Sequence, residues 1–189
     1  MGHTSSLVAV IGAAIFAAIL WWDQRNRSDL HWWRDPISAY LAGPDGHLMA
    51  AGFFCMSGAL LAIANTAPPL PAALLIAGAF GTALAAITRA FARDRTLHLI
   101  GARIAYGCAG IGMLLDSSGT GRIFFGAGIV VAAAIAGYKG HGARWASEWS
   151  LKAIGKDITD LPTAWIERTV LAVYLVWVGI WAVTRMGVA

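Results

Sequence analysis

"LPAALLIAGAFGTALAAIT", residues Leu70 to Thr88, is a run of nineteen residues without one charged side chain. A bilayer's hydrocarbon core is about 30 Å thick and takes roughly 20 apolar residues of α-helix to cross. The stretch has the length and chemistry of a membrane-spanning helix. Five more share its character: Leu7 to Trp22, His47 to Ala64, Leu97 to Leu115, Ile123 to Tyr138 and Trp165 to Val183. The whole chain agrees, with 58% hydrophobic and 13% charged residues and a mean hydropathy of +0.65, where soluble domains are about half apolar and about a quarter charged. The expected fold is all-α, a polytopic membrane helix bundle with six transmembrane helices in a single transmembrane domain over residues 1–189. The helices use up most of the chain, which leaves no room for a soluble domain. The alternating ten-residue strands of an outer-membrane barrel are absent.

The first stretch lacks a basic leader and runs into "LWWDQRNR" rather than a small-residue cleavage site, so it is expected to stay as a helix. Cys55 and Cys108 both fall inside expected helices and read as two free, packed thiols.

Charge is distributed unevenly. Six helices put the loops after the first, third and fifth on one side, and that side collects Arg25, Arg27, Arg34, Arg89, Arg93, Arg95, Lys139, Arg144, Lys152 and Lys156, with Arg103 and Arg168 just inside helix ends. The other side has Arg122 and Arg185. The positive-inside rule then places the crowded side in the cytoplasm and both termini outside. Nine of the ten acids and His31, His47, His98 and His141 fall on the same side. A pI near 9.4 thus reflects loop topology and contact with anionic lipid headgroups; it is no argument for nucleic acid.

"NTAPPLP" is an uncharged turn in which proline ends one helix and begins the next, and "DSSGTGR" is a plain turn with no strand or Lys-Ser/Thr pair to make it a phosphate cradle. Close helix packing is expected at Ala77, Gly81 and Ala85, spaced four apart, and at Gly107, Gly110 and Gly112. The loop from Lys139 to Thr163 contains "ARWASEWSLKAIGK", whose Trp145, Trp149 and Ala153 recur every four residues, as in a short interfacial helix before the last span. Trp21, Trp22, Trp32, Trp33 and Trp165 belong to the same aromatic belt.

The densest polar chemistry lies in "DLHWWRDPISAYLAGPDGHL", Asp29 to Leu48. Asp35 and Pro36 read as the cap and first residue of a short helix "PISAYLA", which Gly43 and Pro44 end before Asp45 caps the next helix. Caps do not explain why His31, Arg34, Asp35 and His47 gather where His98, Glu167 and Arg168 also arrive, each at the start of a later helix. Ionisable residues at membrane depth are functional candidates by default. Asp35, His98 and Glu167 are therefore expected to converge on one polar pocket, with Ser38 on the face of Asp35 and Arg103 and Arg168 as counter-charges.

"DPISAYLAGPDGHLMAAGFFCMSGALLAIA" resembles the segment that opens the second helix in the bacterial and archaeal membrane proteins grouped as domain of unknown function 998. "RTLHLIGARIAYG" is similar to that family's Thr-Leu-His-Gly opening of helix four, and "WIERTVLAVYLVWVGIWAV" to its Glu/Gln-Arg start of the last helix. The likeness covers nearly the whole chain in order; it departs at Leu99, where the family often has glycine, and at "FARDR", where it often has Pro-Thr-Asp. It implies six helices in a bacterial inner membrane, marks Asp35, Ser38, His98, Glu167 and Arg168, and implies no reaction.

Three function classes follow. One is a non-catalytic accessory or binding subunit that contacts membrane lipids or a larger membrane complex through Asp35, Ser38, His98, Arg103, Glu167 and Arg168. The second is an intramembrane metal-dependent lipid hydrolase with Asp35, Ser38 and His98 as catalytic residues and His98, Asp35 and His47 as metal candidates; no HExxH or paired-His spacing accompanies them. The third is a b-type haem carrier using His47 and His98. Composition and spacing identify no cofactor.

Overall fold

Among the described residues, long runs of small and branched apolar residues give five α-helices in the computed structural model: α1 (Gly2–Asn26), α2 (Gly46–Ala64), α3 (Pro69–Ala90), α4 (Arg95–Leu114) and α5 (Asp160–Met186), with a short 3-10 helix, Ile37–Ala42, between α1 and α2. The structure describes residues 2–30, 35, 37–43, 45–90, 94–115 and 160–186. Each of the five α-helices is long and apolar enough to cross a membrane. The expected helix at 123–138 and the expected interfacial helix with Trp145 and Trp149 lie outside the described residues.

The helices outrun the apolar stretches that announced them. α1 continues through Gln24 and Arg25, because the backbone ladder does not end where hydropathy does. "ISAYLA" winds as a 3-10 helix. α3 opens on Pro69 and Pro71, whose missing N–H groups cost nothing in a first turn. α4 is capped by Asp94, whose carboxylate accepts the Leu97 N–H at 3.0 Å. α2 departs from expectation: Asp45 makes no side-chain capping bond. Instead, the Gly46 N–H donates to the Gly43 carbonyl at 3.0 Å, so the turn itself launches the helix.

Packing between helices rests on small residues, as it must where lipid tails are as apolar as leucine and only close fit and polar bonds favour association. A Cβ built on Gly81 would stand 2.5 Å from the Ala105 backbone nitrogen and 2.7 Å from the Gly101 carbonyl oxygen, and one on Gly78 would stand 2.6 Å from the Ala109 Cβ. The α3–α4 seam is thus Gly78, Gly81 and Ala85 against Gly101, Ala105 and Ala109. Gly81 and Ala85 match the sequence reading, while Gly107, read there as part of a packing cluster, has nothing within 4 Å of a built Cβ among the described residues. α1 crosses α2 where Gly12 meets the Cys55 carbonyl and Phe16 sits edge-on to Phe53, ring centroids 5.3 Å apart. The Ser57 hydroxyl ties α2 to α3 through the Ala79 carbonyl at 2.9 Å. α5 packs on α1 and buries Trp177, Val178 and Trp181. It reaches α4 through the Tyr174 hydroxyl, which donates to the Tyr106 carbonyl at 3.1 Å. Cys55 and Cys108 are free and half-buried.

The outer surface is inverted relative to a soluble protein. Phe80 is 68% exposed and Leu70 62%, with Leu7, Ile11, Ile15 and Ile87 also turned outward; such a surface is stable against hydrocarbon. Trp21 and Trp22 are exposed at one end of α1, where the Arg25 guanidinium lies 4.2 Å from the Trp21 ring centroid, a pairing suited to the headgroup layer.

Candidate functional site

Two neighbouring residues of opposite charge on α5 grip the connector that precedes α2. The Glu167 carboxylate accepts the Ser38 N–H at Oε2 (3.1 Å) and the Ser38 hydroxyl at Oε1 (3.2 Å). Beside it, Arg168 Nη2 donates to the Asp35 carbonyl at 3.0 Å. The first N–H groups of a helix lack intrahelical partners. Ordinarily a local Ser or Asp serves them; here a carboxylate from the far end of the chain does. Ser38, in the first turn of the 3-10 helix, is the residue that Glu167 holds.

His98 lies one turn into α4 and is buried, 6% exposed. Its Nδ1 stands 2.8 Å from the Ala85 carbonyl oxygen of α3. A carbonyl only accepts, so Nδ1 carries the hydrogen and Nε2 of the neutral ring keeps a lone pair.

Ser38, His98 and Glu167 border one chamber inside the bundle, to which all five α-helices contribute. Phe16, Phe53, Met56, Leu60 and Leu171 make its apolar wall, and Tyr106, Tyr174 and Thr82 add hydroxyls. Thr82 and Tyr174 spend their hydrogens on backbone carbonyls. Lining positions on α4 run from His98 to Ala109, a rise of about 16 Å at 1.5 Å per residue. The chamber is therefore polar at the charged end and apolar at depth. It is also narrow, with room for a few water molecules.

The remaining expected residues stand elsewhere. Asp35 is half-buried and is held through its backbone; it does not line the chamber. Arg103 is exposed two turns into α4 and does not line the chamber, whereas Arg168, directed at the connector, stands beside Glu167 as a counter-charge. His47 is exposed in the first turn of α2 and does not border the space that His98 borders. Among the described residues no group of three or more His, Cys, Asp or Glu is arranged to hold a metal ion.

A second polar group lies beside the connector. Arg27 forms a bidentate pair with Asp29, Nε to Oδ1 and Nη2 to Oδ2, both at 2.8 Å. That hydrogen-bonded guanidinium holds the Asp29 carboxyl below its usual range, and Asp29 in turn raises Arg27. The guanidinium lies over Gly43, where any Cβ would collide with it. Asp23, one turn earlier on α1, is 2% exposed, with Oδ2 lacking a hydrogen-bond partner among the described residues. Tyr40, fully buried in the 3-10 helix, has its hydroxyl pushed up by burial.

The sequence reading did not single out Tyr106, Tyr174, Thr82 or Asp23. Two signals were present: His98, Ala102, Ala105 and Ala109 form a stripe of small residues at helical spacing below a histidine, and Asp23 is an acid inside a membrane-length helix. Compared with family models, with curated proteins and with solved structures, the chain matches none.

Proposed function

We propose that this chain is a non-catalytic, multi-pass binding protein of a bacterial inner membrane, which engages the polar head of a membrane lipid at Ser38, His98 and Glu167. One observation carries the reading: three polar residues from distant parts of the chain border a single space whose deeper walls are apolar. Ligand sites are concave and mostly apolar, with a few convergent polar groups to fix orientation. The family likeness and the six-helix count belong to the same proposal. α4 and α5 run parallel, since His98 and Glu167 share one end of the chamber and Tyr174 bonds beside Tyr106 deeper down. α4 therefore ends opposite the point where α5 begins, as a further crossing between them requires. Crowding of charge at the α5 start supports a cytoplasmic site with both termini outside.

The test is native mass spectrometry of the full chain released from membranes in mild detergent. The wild type retains a lipid-sized adduct, whereas Ala102→Phe, which puts a ring into the chamber from a half-buried lining position, loses it while keeping the same thermal midpoint within a few degrees. Equal retention by both sinks the reading.

A hydrolase is favoured by one feature, the Ser38 hydroxyl pointing its hydrogen at Glu167 Oε1 across 3.2 Å, since a hydroxyl nucleophile needs an adjacent base. It predicts fatty-acid release from vesicles containing the reconstituted protein and loss of that release in Ser38→Ala; retained, uncleaved lipid decides for binding.

A further inference from the structure

The size of the chamber decides what it can hold. With room for a few water molecules, it admits no acyl chain, and its own contents are of water's size. Two groups that border such a space are joined by a short chain of waters, roughly 5–11 Å for one to three of them at 2.8 Å per O–H···O step. His98 and Glu167 border it together at the charged end, with Thr82 and Tyr174 deeper. The Thr82 and Tyr174 hydroxyls donate to backbone carbonyls, so their oxygens meet water as acceptors. Three hydrogen bonds already reach the Glu167 carboxylate, from the Ser38 N–H, the Ser38 hydroxyl and the Ile37 N–H. A carboxylate accepts about four, which leaves one place for water. His98 spends Nδ1 on the Ala85 carbonyl and keeps the lone pair of Nε2, at the tip of its ring.

A hard metal cation takes about six oxygen ligands, far more than one place on a carboxylate that already has the Arg168 guanidinium beside it. A proton needs a single lone pair, and Nε2 offers one. We infer that the chamber is a proton-binding site: His98 Nε2 takes a proton from the enclosed water, and the Glu167 carboxylate faces the resulting imidazolium across that water. The proton arrives from the charged end as hydronium, which is left as water when imidazole becomes imidazolium; no electron moves. A buried charge is costly unless paired, and Glu167 supplies the pairing. Ionisable side chains inside membrane bundles mark such proton sites. Arg89 from α3 and Arg168 from α5 oppose the new charge, while Glu167 favours it. Tyr106 from α4 and Ser38 from the 3-10 helix are polar neighbours, and α1 and α2 present only apolar side chains to the chamber. Proton uptake shares the chamber with lipid engagement and does not depend on it.

The full chain, labelled with nitrogen-15 in its histidine rings, is titrated by NMR in phosphatidylcholine nanodiscs between about pH 9 and pH 4, the His98 signals being identified by their loss in His98→Gln. His98 is expected to start with its hydrogen on Nδ1 and to gain a second on Nε2 as pH falls. Glu167→Gln should lower that midpoint by about one pH unit or more, a tenfold loss of proton affinity, because the imidazolium loses its counter-charge. Ala102→Phe, which fills the chamber and leaves both ionisable groups in place, should lower it by a similar amount through expelling the water that joins them. Asp29→Asn, which removes a carboxylate of the connector outside the chamber, should move it by less than about 0.2 units. A ring that stays neutral throughout, a midpoint unchanged in Glu167→Gln or in Ala102→Phe, or an equal shift in Asp29→Asn overturns the proton site. Ala102→Phe keeps the Glu167 bonds to Ser38 and decides the matter where Glu167→Gln does not fold. Loss of the lipid adduct in Ala102→Phe with an unchanged midpoint overturns the proton site alone, and a shifted midpoint with the adduct retained overturns the lipid reading alone.

Discussion

Glu167 shows how one residue can serve structure and site together. Its carboxylate closes the start of the 3-10 helix, a charge-assisted arrangement in which each bond contributes on the order of 1.5 kcal/mol or more. Glu167→Met keeps much of the size but removes both acceptors, so the Ser38 N–H and hydroxyl lose their partner; a loss of about 1–3 kcal/mol is expected. Ser38→Ala removes only the hydroxyl bond and should lose about 0.5–1.5 kcal/mol. Both are read as shifts in the thermal midpoint of the detergent-solubilised chain, and equal losses would show that the backbone bond to Ser38 contributes nothing. Asp29 supplies a pH dependence whose direction follows from its pairing. Because its folded carboxyl lies below the ordinary aspartate range, its contribution is present above that range and disappears as pH falls through the lower folded value. The carboxylate is exposed, so the effect is small and weakened by salt. The wild-type midpoint should fall more steeply below about pH 4 than that of Asp29→Asn, and parallel curves would show that the pair contributes nothing.

Between elements, glycine does two different things. At Gly81 the facing atoms are the Ala105 nitrogen and Gly101 oxygen, backbone that cannot rotate away. Gly81→Ala must separate α3 from α4 and should lose about 1–3 kcal/mol, as overpacking does. At Gly107 a built Cβ meets nothing within 4 Å among the described residues, so Gly107→Ala meets no clash with them and gains helix propensity, about 0.5–1 kcal/mol. Chemical denaturation of the two variants in the same detergent should move in opposite directions; a loss at both would mean that Gly107 is also a packing position. Gly43 belongs with Gly81 in kind: the atoms opposing it are the Arg27 guanidinium, and a side chain there displaces Arg27 from Asp29. That connector thus depends on a residue with no side chain as much as on the charges around it.

Over the whole molecule, the ends of the helices divide the chemistry. Asp23, Arg27, Asp29, Asp35, Asp45, His47, Asp94, His98, Glu167 and Arg168 lie at the end shared by the connector and the starts of α2, α4 and α5, while Arg185 lies at the opposite end of α5. If that crowded end is cytoplasmic, a cysteine at exposed Pro68 in a chain with Cys55 and Cys108 replaced by Ala should react with an impermeant maleimide on intact cells. A cysteine at exposed Asp45 should react only after permeabilisation. The reverse pattern would place the Ser38–Glu167 end outside.

The sequence by itself determined that this is an all-helical chain with membrane-length apolar helices, because hydrophobic length over about 20 residues is a local property that any window of the chain displays. It also marked Ser38, His98 and Glu167, since polar groups are conspicuous against so apolar a background. Only the tertiary structure decided that these three border one space and that Asp35, Arg103 and His47 do not. That depends on the rotation of each helix about its own axis, which is set by which small residues touch: Gly81 on Ala105, Gly12 on Cys55. The sequence offers many glycines and alanines at suitable spacing, Gly107 as readily as Gly101, and the choice among them is made by the facing helix. The Glu167 bond to Ser38 was hidden for the same reason: its partners are separated by 129 residues of chain, and only the fold brings them within reach.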